Sequence, residues 1–153
     1  MSDAPDTESA PDGRGLRVGL VAARYNRERV DRLAGLVRDE LLRLGVAADG
    51  IRTGRVPGSM EVPFAVARLA RTGSFDALLG LGVVIAGDTS HHEVIAFTTA
   101  ASLQRISVDT DVPVVNGILV VDSEDQADDR LGRRADRGAE FARAAVALAR
   151  FRL

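Results

Sequence analysis

The chain has 153 residues, 20 basic and 22 acidic side chains for a net charge of −2, and 46% apolar residues. That is the composition of one globular domain with a single core, and it gives neither a nucleic-acid backbone nor an anionic membrane an electrostatic reason to bind. Cysteine is absent, which excludes a disulfide framework, a thiolate nucleophile and a cysteine zinc site and makes the cytosol the expected compartment.

Residues 1–15 are rich in Asp, Pro, Ser and Gly and lack the apolar run of a signal peptide, so they read as a disordered arm ahead of a domain at 16–153. No later stretch approaches the roughly 18 uninterrupted apolar residues of a spanning helix. From Leu16 short apolar runs alternate with helical periodicity, the pattern of βα units around a parallel sheet. Strands are expected at 16–23, 51–56, 77–85 and 112–121, the second more polar and suited to an edge, the last two apolar enough to be covered on both faces. Between the first two, Leu33, Leu36, Val37, Leu41 and Leu44 recur at helical spacing and Gly45 stops the helix. A second helix is expected over 60–71, with Pro63 tolerated in its first turn. Others follow at 90–108, 124–131 and 135–150.

All twenty basic residues are arginine. A Walker-type phosphate loop and a protein-borne Schiff base both need lysine, so any imine chemistry must use an amine of the substrate. In an open parallel sheet ligands bind beyond the carboxyl ends of the strands, and the loops there are the informative ones. They read Arg24-Tyr25-Asn26, Pro57-Gly58-Ser59-Met60-Glu61, Ala86-Gly87-Asp88-Thr89-Ser90-His91-His92 and Asn116-Gly117.

In the third loop Ser90-His91-His92-Glu93 fits a capping box, with Ser90 as cap and Glu93 reaching back to it. Gly87 permits a tight turn, and the free N–H groups of a helix start suit a phosphate or carboxylate. His91, at the first helical position, is a candidate proton-transfer group near neutral pH. The two histidines are adjacent and point in different directions, which does not make a zinc site. Gly80-Leu81-Gly82 lacks the third glycine of a dinucleotide fingerprint and reads as close sheet packing. Gly58-Ser59-Met60 lacks the second flank of a nucleophile elbow, so Ser59 reads as a helix cap.

Taken in order, these loops resemble the lumazine synthase family over about 16–151. The resemblance rests on Arg24-Tyr25-Asn26, the run from Val56 to Pro63, the run from Leu81 to His91, Val112-Pro113-Val114 and Arg130-Leu131-Gly132. It implies a flavodoxin-like three-layer αβα sandwich on a four-stranded parallel sheet. It further implies homo-pentamers, in some members sixty-subunit shells, with each active site between neighbouring subunits. The implied reaction condenses 5-amino-6-ribitylaminouracil with 3,4-dihydroxy-2-butanone 4-phosphate, releasing phosphate and water, with no cofactor and no metal. The absence of lysine is then no handicap, because the substrate supplies the amine.

By the same resemblance His91 is the proton-transfer histidine, and Gly87, Asp88 and Thr89 form the phosphate loop. Arg130 is the phosphate clamp supplied by a neighbour, where the residues alone equally allow a surface ion pair with Asp128 or Asp129. Tyr25 stacks on the pyrimidine, Ser59, Met60 and Glu61 face the ribityl chain, and Val84 and Ile85 offer backbone contacts to the pyrimidine edge. Arg134 and Arg137 fall where the family often has lysines. The chain departs from the family at Ala86, usually arginine, at His92, often aromatic, and at Asn116, commonly a phenylalanine of the adjacent subunit that packs over the heterocycle. Two other functions stay open on the sequence: a paralogue running related imine-formation and phosphate-elimination chemistry on a different amine or sugar phosphate, and a non-catalytic oligomeric flavin-binding protein.

Overall fold

A computed structural model describes residues 9–153. Four parallel strands, β1 (Val18–Ala23), β2 (Ile51–Val56), β3 (Ala77–Ile85) and β4 (Val114–Val121), lie in the order β2-β1-β3-β4. Five helices connect and flank them: α1 (Arg27–Arg43), α2 (Val62–Ala70), α3 (His91–Thr110), α4 (Glu124–Arg130) and α5 (Arg137–Ala149). Period-two alternation sorts the strand side chains between two cores. Leu20, Leu79, Leu81 and Leu119 pack with Leu33, Val37 and Leu41 of α1 and Phe141 and Val146 of α5. On the other face Val21, Leu78, Val114 and Ile118 pack with Val62 and Val66 of α2 and Leu103 of α3. The result is the expected three-layer α/β sandwich.

The element boundaries move for local reasons. The first strand begins at Val18 rather than 16, because Leu16 closes a turn by donating to the Gly13 carbonyl. The last begins at Val114, since Pro113 has no N–H and contributes only its carbonyl, which accepts from Leu78. Residues 59–61 form a separate 3₁₀ turn ahead of α2, and Asp136 caps α5 by accepting from the Ala139 N–H at 2.8 Å. Of the proposed arm at 1–15, residues 1–8 lie outside the described residues. The segment 12–15 is tied down: the Gly13 N–H donates to Leu44 O at 2.8 Å and Arg150 Nε to Asp12 O at 2.9 Å. Its polar composition hid this anchoring, to which the segment itself contributes backbone N–H and C=O groups. Among the described residues no helix is long and apolar enough to cross a membrane.

One charged group lies inside the α1–α5 packing. Glu40 is buried on α1 and pairs with Arg43, with Arg143 of α5 a further 3.5 Å ion-pair partner. The Arg43 guanidinium holds the Glu40 carboxyl below the usual carboxylate range, against the opposing effect of burial. A depressed folded pKa contributes stability that is full above the unfolded carboxylate pKa and is lost as pH falls through the folded value. Glu40→Gln is therefore expected to cost about 1–2 kcal/mol at pH 7. Its urea midpoint should converge on that of the unmodified chain as the buffer is taken to about pH 3. A gap that stays constant with pH would assign Glu40 to packing alone.

Candidate active site

The strand order reverses direction between β1 and β3, and a topological switch point of this kind opens a crevice at the carboxyl ends. A cavity of about 590 Å³ occupies it. Its floor is Val83, Val84 and Ile85 from the end of β3, with Ile95 from α3; Tyr25, Asn26, Gly58, Ser59, Met60, Glu61, Gly87, Thr89, His91, His92 and Glu124 complete the lining.

Close backbone approach builds the wall at 58–61. Gly82 has no side chain, and the space its Cβ would take is filled by the Ser59 hydroxyl. Ser59 is thereby buried under the 3₁₀ turn, which the Glu61 N–H closes on Gly58 O at 3.1 Å. It does not cap a helix, contrary to expectation: neither the turn nor α2 has a side-chain cap. Gly80 receives Val62 and Leu103 in the same way, so Gly80-Leu81-Gly82 serves packing, as its spacing implied.

The β1 loop is held on two sides. Arg24 and Tyr25 N–H groups donate to Val56 O (2.8 Å) and Pro57 O (3.1 Å), which leaves the Tyr25 ring 75% exposed at the cavity mouth. Asn26 takes a left-handed conformation (φ 56°, ψ 44°) and its Nδ2 donates to Val83 O at 2.6 Å.

The third loop differs from its expected form. Ser90 precedes α3, but its side chain makes no cap bond and Glu93 does not reach back to it; only the Glu93 N–H returns, to Ser90 O at 3.0 Å. Thr89 takes over instead, its hydroxyl accepting from the His91 N–H at 3.4 Å and its carbonyl facing His92 Nδ1 at 3.1 Å. A carbonyl only accepts, so His92 Nδ1 is the donor in this contact. The His91 ring has no hydrogen-bond partner among the described residues.

The cavity thus gathers Tyr25, Ser59, Met60, Glu61, Val84, Ile85, Gly87, Thr89 and His91, with Asp88 exposed in the same loop. It does not gather Arg130, Asn116, Arg134 or Arg137. Arg130 donates to Gln126 O of its own helix at 3.1 Å and pairs with no carboxylate among the described residues, which removes the ion pair with Asp128 or Asp129. Those two carboxylates are engaged by other arginines: Asp128 by Arg29, which holds its carboxyl below the usual range, and Asp129 by Arg133. Arg134 lies 3.4 Å from Asp129, and Arg137 pairs with Glu140 and lies over the Phe141 ring. Asn116 sits on edge strand β4 opposite Gly80, its Oδ1 accepting from the Ile118 N–H at 3.1 Å. Among the described residues no cluster of three metal-ligating side chains exists.

Asn26, His92 and Glu124 also line the cavity without having been assigned to it. The sequence signal for Asn26 was its place between an aromatic and a helix start, where a residue tolerant of the left-handed region is needed. Glu124 carried no such signal, because only the fold brings α4 to the crevice.

The family model for 6,7-dimethyl-8-ribityllumazine synthase matches residues 15–152. A protein of that name from Azoarcus sp. is 41% identical over 142 residues, 93% of this chain and 89% of the relative. Those of Paracidovorax citrulli and Laribacter hongkongensis are 43% and 41% identical, over 90% and 96% of this chain and 88% and 93% of their own lengths. With a switch-point crevice built from the loops that carry the likeness, and a match that runs through the whole domain, the chain belongs to the 6,7-dimethyl-8-ribityllumazine synthase family.

Proposed function

We infer that the protein condenses 5-amino-6-ribitylaminouracil with 3,4-dihydroxy-2-butanone 4-phosphate to 6,7-dimethyl-8-ribityllumazine, in a site completed by a second copy of the chain. The observation that carries this reading is the charge of the cavity. Among the described residues its lining holds two carboxylates, Glu61 and Glu124, two histidines and no arginine. A phosphate dianion binds through charge-assisted bonds, and a guanidinium fork is the fitting partner. Arg130 has no carboxylate partner among the described residues and lies outside its own chain's cavity. It is therefore available to the cavity of a neighbour.

Tyr25 stacks on the pyrimidine, Ser59, Met60 and Glu61 meet the ribityl hydroxyls, and the peptides of Val84 and Ile85 face the pyrimidine edge. The substrate amine attacks the ketone carbon and water leaves to give the imine. Loss of a carbon-bound proton then drives out phosphate, held by Gly87, Asp88, Thr89 and the neighbour's Arg130, and ring closure releases a second water. His91 moves the proton. Arg134 and Arg137 act at the rim of the neighbouring site. Positioning and proton transfer are the whole task, so a chain without lysine is equipped for it.

The α3 helix supports the oligomer. It is apolar on more than one side, yet only Thr99 and Leu103 of its twenty residues are buried, while Val94, Phe97 and Val108 are exposed. Large apolar side chains left exposed along one helix mark an interaction surface. Homo-pentamers, with a sixty-subunit shell as the larger assembly, accommodate it, in the cytosol.

A turnover assay with both substrates, reading lumazine fluorescence and released phosphate, tests the activity; a well-folded oligomer that forms no product overturns it. Asn116 belongs, on this reading, to the neighbour's cavity, over the heterocycle. Asn116→Phe adds an aromatic stacking partner, worth about 0.5–1.5 kcal/mol, and should lower KM for the aminouracil about two- to tenfold. An unchanged KM would remove Asn116 from the site.

A further inference from the structure

We propose that Asn26 is a positioning residue for the aminopyrimidine half of the site, acting by holding the end of β3 and the Tyr25 loop in one arrangement. Asparagine before a helix ordinarily accepts from the second or third N–H of that helix. Here the side chain makes no such bond although Asn26 is the residue that precedes α1. Its amide is turned to Val83 O, 57 positions along the chain, at 2.6 Å. The β1–β3 pairing ends at Ala22 opposite Leu81, so β3 runs on past its neighbour. Beyond that point a strand-end carbonyl facing β1 has no ladder donor, and leaving a buried one unpaired is costly. Val83 is buried, and the Asn26 amide stands in for the missing strand.

The bond has two consequences for the cavity. It fixes the peptide that leads from Val83 into Val84 and Ile85, and it fixes the residue next to Tyr25, whose own N–H is held by Pro57 O. Both lie on the aminopyrimidine side. The phosphate loop at 87–89 is held by separate bonds, from Ala86 N–H to Val121 O (2.9 Å) and from His91 N–H to Thr89 Oγ1. The left-handed backbone is what aims the side chain, and asparagine is among the few residues that adopt it readily.

This assignment rests on the proposed reaction, and the experiment separates the two. Tyr25 is the only tyrosine in a chain without tryptophan, so intrinsic fluorescence reports on this loop alone. Asn26→Gly keeps the left-handed backbone and removes the amide; Asn26→Asp keeps the size and turns a donor into an acceptor. In both, Tyr25 anisotropy should fall without any substrate. KM for 5-amino-6-ribitylaminouracil should rise about tenfold, while KM for the butanone phosphate stays within about twofold. Unchanged anisotropy and KM in both variants would overturn the proposal, as would both KM values rising together in step with a loss of Tm. If the unmodified protein makes no product, the reaction assignment fails, and the anisotropy still decides whether Asn26 holds the loop.

Discussion

Alanine in place of His91 is expected to lower kcat about 10²–10³-fold, within the usual contribution of a positioned general acid–base group, and to leave Tm and oligomeric state unchanged. The separation of activity from stability follows from the geometry. The His91 ring is exposed and makes no hydrogen bond among the described residues, so its removal costs no packing and leaves no buried group unpaired. His92 supplies the contrast, because its Nδ1 is tied to Thr89 O and its loss loosens the loop. Single-turnover measurements with both substrates saturating distinguish a slowed proton transfer from weakened binding. A kcat within twofold of the unmodified enzyme would take the proton-transfer role from His91.

Arg130→Ala is expected to raise KM for the butanone phosphate about tenfold or more, the cost of losing a charged hydrogen-bond pair to a dianion. The sharper expectation concerns mixtures. If each cavity takes His91 from one copy and Arg130 from the next, an assembly of His91→Ala and Arg130→Ala chains contains some sites with both residues intact. In a cyclic assembly with head-to-tail interfaces and equal random mixing, about one site in four is intact, so with butanone phosphate well below KM co-expressed variants should recover about a quarter of normal specific activity. Recovery no better than the average of the two separate variants would place Arg130 in the cavity of its own chain. Arg29 pairs with Glu124 and Asp128, which fastens α4, the helix that carries Arg130, to α1.

How much of the site could be read beforehand depended on distance along the chain. The residues at 84–91 form one strand end and one helix start, and their spacing alone brings the floor, the loop at 87–89 and His91 together. Tyr25 and Ser59-Met60-Glu61 were recognisable as loops at neighbouring strand ends. The local bonds were less legible. The pattern of a capping box at Ser90 was present, yet Thr89 makes the contact, because the loop geometry favours the hydroxyl one residue earlier. Ser59 had the look of a cap and is instead a buried side chain filling the space that Gly82 leaves.

Hydrophobic periodicity, the glycine stops and the short connections were sufficient for the layer architecture and the all-parallel sheet, because burial of apolar faces and the handedness of crossovers leave few other arrangements. They were also sufficient for the chemistry the chain excludes, since no fold supplies a lysine or a cysteine that is absent. The tertiary structure decided which side chains meet. It turned Asn26 away from its own helix to a carbonyl 57 residues distant, brought Glu124 to the crevice, and left Arg130 without a carboxylate partner among the described residues and outside its own chain's cavity. Each of these depends on where β3 ends relative to β1 and how α4 packs against α1, long-range geometry that no local pattern of residue types encodes.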